Sequence, residues 1–389
     1  MKKLIIIFMI LITAIPSTGC KGIKQEIETL AVVMASGFDL IEDNKYMVTL
    51  QILNSQKESS SKMSSQKGIG EQLQTDVLVY SATGISPFDA IKNISITLGK
   101  PLFWGHSEFA VIGGELAETG LSLFIDSTLR SALVRPNTPL IITKNRASDI
   151  ISSITKDSKI PADTIEHLMK AQETTGLSSV VSRLDFVNAL SSKTGIAILG
   201  VIQMNNSLYT DSKFKMEGSA VFKKDKLIGY LDASETRGMQ WIKGKVKTGS
   251  ISVLNEANEV LTFEILSASS KVKPILKDDG ILMQITINEA GNLREMSTNL
   301  NPMENYKVMD ELSEVQEEAI KKEIGLALNA AQKKLNADIF NFGGIIYRYY
   351  PEAWKKLENS WEDIFPNIEI DININSILKR PGIISKPIQ

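Results

Sequence analysis

The chain has a single cysteine, and its position sets the terms on which everything after it must fold. Lys2 and Lys3 precede an apolar run from Leu4 to Ile15, interrupted only by Thr13 and Ala14, and Ser17-Thr18-Gly19 leads into Cys20. This is the pattern of a secretory signal ending in a lipid-attachment cysteine. The run is shorter than the roughly 18 residues that a membrane-spanning helix needs, and small residues follow it in place of a stop-transfer cluster. Residues 1–19 are therefore expected to be a cleaved leader and Cys20 the mature N-terminus, with a diacylglyceryl thioether on its sulfur and an acyl chain such as palmitate on its amine. More than one chain is what stable anchoring requires. With no second cysteine, neither a disulfide nor a cysteine-based metal site supports the remainder, so packing must hold it together.

Removing Lys2 and Lys3 with the leader leaves 41 Lys and Arg against 45 Asp and Glu, a formal charge of −4. That balance argues against nucleic acid or anionic lipid headgroups as partners. About 370 residues remain, enough to bury a sizeable core in two or three domains. No long apolar run occurs after Cys20, which places the rest of the chain beside a membrane and outside it.

Leu30 to Gly37 is nearly continuous in apolar and small residues, and Tyr46, Val48, Leu50 and Ile52 alternate after the polar turn at 42–45. This predicts a hairpin with a buried first strand. Ser, Lys, Gln and Gly dominate residues 54–74, which carry too little apolar surface to offset ordering entropy and are expected to be a mobile insertion. Ser86-Pro87-Phe88-Asp89 is a helix start and Gly99 its stop. Strand patterns at 109–112, 140–143 and 194–204 alternate with helical ones at 115–129, 147–154 and 160–192, which predicts an α/β region over 20–205, with two subdomains. The polar stretch 205–213 marks the expected boundary to a C-terminal α+β domain, 214–389. There a second hairpin (219–222 and 227–230) and strands at 251–254, 260–266 and 281–287 precede a long amphipathic helix at about 310–336. Trp354, Leu357 and Trp361 then share a helical face, and Ile368, Ile370, Ile372 and Ile374 alternate as a strand.

The two histidines, His106 and His167, have no zinc-like spacing between them, and no nucleophile elbow, Walker motif or dinucleotide fingerprint is present. His106 is expected to serve as a structural hydrogen-bonding residue at a loop-to-strand junction, and His167 as a surface helix residue. Gly343-Gly344 is expected to permit a tight turn. Asp278-Asp279-Gly280 supplies another turn, and Trp354 and Trp361 are assigned to the core. Arg237 and Arg348 can pair internally or at an interface. The reading is of a non-enzyme without metal or cofactor.

In order and spacing, several motifs resemble the Ger(x)C lipoproteins, the C subunits of nutrient germinant receptors in spore-forming bacteria. They are the leader with Cys20, Gly37-Phe38-Asp39, Phe103-Trp104-Gly105-His106, Gly218 to Leu231 and Glu235-Thr236-Arg237-Gly238 with Trp241. Asp338 to Gly343, Tyr350-Pro351 with Trp354, and Trp361 complete the series. Lys21-Gly22 stands where that family often has Trp-Asp, and Ser17 where an aliphatic residue is usual. The resemblance implies a three-part α+β ectodomain of mixed sheets covered by helices, on the outer face of the spore inner membrane. It also implies a multi-spanning A subunit and a transporter-like B subunit as partners in receptor assembly or signal coupling. The alternative from another class is a solute-binding lipoprotein of a membrane transporter, which requires a deep cleft between two lobes.

Overall fold

A computed structural model of the chain describes residues 29–54, 75–131, 134–207, 210–254, 258–278, 280–297, 301–302 and 306–379. The leader with Cys20, residues 55–74 of the insertion, Asp279 and residues 380–389 lie outside them. The fold is α+β, with two mixed sheets and their covering helices.

β1 (Ala31–Ile41) and β2 (Lys45–Leu53) form the expected hairpin, turned through Asp43 and Asn44 at φ of 62° and 55°. β1 lies mid-sheet and is covered on both faces, which is why its sequence is apolar almost throughout. β3 (Val77–Gly84) extends the hairpin. In α1 (Pro87–Leu98) the Ser86 hydroxyl accepts the Asp89 N–H at 3.1 Å, and Gly99 closes the helix at φ 63°. The chain continues through β4 (Leu102–Phe103), β5 (Phe109–Ile112), α2 (Gly114–Thr119), α3 (Ser122–Arg130), β6 (Pro139–Ile142) and α4 (Ala147–Ile151). It then forms α5 (Pro161–Thr175), β7 (Val181–Ser182), α6 (Arg183–Leu190), β8 (Ile196–Met204), β9 (Phe214–Lys223) and β10 (Lys226–Leu231).

These ten strands make one sheet, ordered β10-β9-β8-β6-β5-β1-β2-β3, with β4 beside β1 and β7 beside β6. Its centre is parallel and its flanks are antiparallel hairpins. Side chains alternate between two cores: Phe38, Ile112, Leu140 and Ile142 face α1 and α3, while Ala35, Phe109, Val111 and Ile141 face α4 and α5. The single helix expected over 115–129 is two helices. Gly120, at φ 134°, interrupts it, and Asp225 from the β9–β10 turn caps the second piece by accepting the Ser122 N–H. The polar stretch 205–213 connects β8 and β9, which pair directly, Met204 opposite Phe214.

α7 (Ala233–Ile242) leads to the second sheet, β11 (Gly249–Leu254), β12 (Val260–Lys277), β13 (Gly280–Met296) and β14 (Glu369–Leu378), in that order. β12 and β13 run well past the expected ends at Leu266 and Ile287. Their polar distal residues are held by the antiparallel ladder that runs from Leu261↔Met296 to Lys277↔Gly280. α8 (Tyr306–Asn329) covers this sheet, continues as a π turn over Ala330–Leu335, and ends at Asn336 with φ 44°. α9 (Phe342–Tyr349), α10 (Pro351–Leu357) and α11 (Trp361–Ile364) complete the crossover that brings β14 parallel to β13. The core beneath α7 and α8 contains Ile196 and Ile198 of β8 and Val221 of β9 as well as residues of the second sheet, so the two sheets share it.

Candidate functional site

Most of the motif residues singled out from the sequence build the architecture. Asp39, at the end of β1, accepts the N–H groups of Ala147 at 2.7 Å and Ser148 at 2.9 Å, and so holds the start of α4. Burial raises its carboxyl pKa, opposed by those two donors. Gly37 lets α4 approach: a Cβ there would stand 2.9 Å from Ile151 Cγ1. Phe38 packs edge-on against Phe124 at 4.8 Å.

In the second half, Asp232 and Glu235 form a reciprocal capping box at the start of α7. Arg237 donates to Glu323 of α8, Nε to Oε2 at 2.8 Å, and to the Ser250 carbonyl at 2.9 Å, while Trp241 Nε1 donates to the same carboxylate at 3.0 Å. Between them Gly238 lies directly against α8. The buried Asp338 accepts from Phe342 N (2.9 Å), Gly343 N (2.8 Å) and Trp361 Nε1 (3.2 Å), tying the loop after α8 to the helices that follow. Trp354 and Trp361 are buried core residues whose rings meet at 5.2 Å. Gly343 and Gly344 fall in the first turn of α9 and not in a separate tight turn. Gly343 is there because a Cβ would meet the Trp354 ring at 2.5 Å.

The remaining candidates are solvent-facing. His106 is exposed, its ring contacts Phe103 at 5.7 Å, and among the described residues its side chain makes none of the expected structural hydrogen bonds. His167 is exposed on α5, and Arg348 is exposed on α9. Cys20 lies outside the described residues.

Between the first sheet and α1 and α3 this packing leaves a cavity of about 500 Å³. Ser36, Ala110 and Leu140 form its floor, Trp104 and Phe124 are among its walls, and Arg183 borders it from the start of α6. The cavity lies against one sheet and is not an interlobe cleft. The sequence reading missed Arg183 and Thr138, both of which line it. A local signal was available for the arginine, since a cation at the first position of a helix opposes the helix dipole.

Residues 24–204 match the family model described as Spore germination protein N-terminal domain, and residues 217–382 match Spore germination B3/GerAC like, C-terminal. The chain belongs to the Ger(x)C family of spore germination proteins. It is 24% identical over 406 residues to spore germination protein KC of Bacillus subtilis (strain 168), which covers 100% of this chain and 98% of that one. Spore germination protein B3 of the same organism is 21% identical over 376 residues, 95% of each chain. The fold is similar to that in the crystal structure of the GerBC protein, with a TM-score of 0.59, 16% identity, and coverage of 89% of this chain and 98% of that one. The two family models divide this Ger(x)C chain near the 205–213 connection, inside the first sheet. Among the described residues, no helix is long and apolar enough to cross a membrane.

Proposed function

We propose that this chain is a lipid-anchored, non-enzymatic subunit of a spore nutrient germinant receptor. It is tethered through Cys20 to the outer face of the spore inner membrane and works with membrane-spanning A and B subunits in receptor assembly or signal coupling. The observation that carries this reading is the match to spore germination proteins over nearly the full length of the chain, in both halves. The use of Asp39, Arg237 and Asp338 as internal ties supports a role exercised through surfaces. A subunit shifts a conformational equilibrium only by contacting one state better than the other. Confinement to the same membrane raises the effective concentration of its partners, so modest contacts suffice. Spores lacking the protein, or carrying Cys20→Ala, are expected to lose most of their response to nutrients. They should stay dormant until triggered and should respond to triggers that bypass the receptor. Nutrient germination, partner-subunit levels and membrane partitioning of the variant are the measurements. A normal nutrient response in spores without the protein or a paralogue would reject the reading.

A further inference from the structure

The cavity under α1 and α3 carries an inference that goes beyond the receptor-subunit reading and stands independently of it. From its polarity we infer that it binds an amphipathic carboxylate with no ammonium group, a fatty acid or an aryl-alkanoic acid.

The body of the ligand follows from the walls. Phe38, Trp104, Phe124 and Leu140 are all buried and present apolar surface to the cavity, and the volume of about 500 Å³ is within the range of small-molecule sites. On the rim, the exposed Phe88 and Ile96 of α1 continue that surface outward.

The head group follows from the charges. Lys92, Lys100 and Arg183 line the cavity, and among the described residues no aspartate or glutamate does. Lys92 stays at the mouth, its Nζ 5.4 Å over the Phe88 ring. Arg183 is deeper, only 8% exposed, and its guanidinium donates to the Arg135 carbonyl, with no carboxylate paired to it among the described residues. A guanidinium has five N–H donors, and a buried cation without a counter-ion is costly. Burial accordingly lowers the Arg183 pKa. Beside it stands Thr138, 6% exposed, whose Oγ1 is buried without a hydrogen-bond partner among the described residues and whose carbonyl accepts the backbone N–H of Arg183 at 3.0 Å. An entering carboxylate gives Arg183 its counter-ion, and rotation of the Thr138 side chain brings its unsatisfied hydroxyl to the same group, so that both donate charge-assisted hydrogen bonds to it. An α-amino acid does not suit the site, because its ammonium would face Lys92 and Arg183 and, among the described residues, no acid.

The test uses residues 21–389, which contain every described residue, in calorimetric titrations with dodecanoate and with 3-phenylpropanoate, each below its micelle concentration. Dodecan-1-ol and dodecylammonium serve as matched controls. At least one acid is expected to bind once per chain, with the alcohol and the ammonium weaker by about tenfold or more. Dodecanoate alone binding identifies a membrane-derived acyl acid, 3-phenylpropanoate alone a soluble aromatic acid, and both the shared class. Arg183→Gln should weaken acid binding about tenfold or more and leave the alcohol unchanged. Thr138→Val, which removes a hydroxyl that has no hydrogen-bond partner among the described residues, should weaken the acid selectively while keeping the fold. It therefore decides the matter if Arg183→Gln fails to fold. Binding of neither acid, equal binding of acid and alcohol, or acid binding unaffected by Thr138→Val would overturn the inference.

Discussion

Glu289 is the side chain whose surroundings oppose its charge most plainly. It sits on β13 beneath α8, 3% exposed, accepts a hydrogen bond from the Ser376 hydroxyl of β14, and lies near the fully buried Gln316. Burial pushes its carboxyl pKa up to about 7, against the pull of the Ser376 and Gln316 side chains. Because the folded value is above the ordinary 4.5, the folded protein keeps a proton that the unfolded chain releases between those two values. The resulting stabilisation is complete below the unfolded pKa and is lost as pH rises through about 7. Urea midpoints of the native chain should therefore carry a downward component between pH 5 and 8 that Glu289→Gln lacks, a difference on the order of 1–2 kcal/mol. Parallel pH profiles for the two proteins would show that the group is not held as described.

At the level of elements, the α7–α8 contact is the tightest that the sequence motifs build. A Cβ on Gly238 would lie 2.0 Å from the Glu323 carbonyl oxygen and 2.9 Å from Ala327 Cβ, so Gly238→Ala must push the helices apart. That movement also lengthens the Arg237 and Trp241 bonds to Glu323. The expected cost is about 1–3 kcal/mol, read from the urea midpoint at constant slope. Gly325, on α8, is the matched control: a Cβ there meets nothing within 4 Å, and Gly325→Ala should stabilise by about 0.5–1 kcal/mol through helix propensity. Equal effects at the two positions would contradict the packing argument.

Across the whole molecule, the two matched family regions do not correspond to two sheets. β9 and β10 come from the C-terminal region but complete the first sheet, and β9 turns Ala220 and Phe222 toward the N-terminal core and Val221 toward the C-terminal one. The turn at Asp225 also caps α3. A fragment of residues 214–389 would lose β8, which supplies Ile196 and Ile198 to its core, and would expose the edge of β9. It is expected to aggregate or to unfold without a cooperative transition, whereas the chain with β8 retained, 194–389, should be better behaved. Circular dichroism melts and sedimentation of the two fragments distinguish these outcomes, and cooperative unfolding of 214–389 alone would show that its core closes without β8.

Local chemistry is legible in the sequence wherever neighbours along the chain carry the information. The Ser86 cap and Gly99 stop, the buried first strand, the long amphipathic helix and the alternating isoleucines of β14 all rest on periodicity or capping within a few residues. Family membership was legible for the same reason, since its motifs survive as short strings, and so was the assignment of Trp354 and Trp361 to the core. The break at Gly120 and the full reach of β12 and β13 were not, because each depends on a partner distant in sequence: Asp225 for the first, the ladder between the two strands for the second. The buried Gln316 and Glu289, and the joining of Arg183 to Thr138 beside an apolar cavity, are likewise products of tertiary packing. The sequence determined the type of the segments whose periodicity and caps are local, and the family they belong to. Only the tertiary structure decided which polar groups ended up buried, because desolvation and pairing depend on what the rest of the chain brings against them.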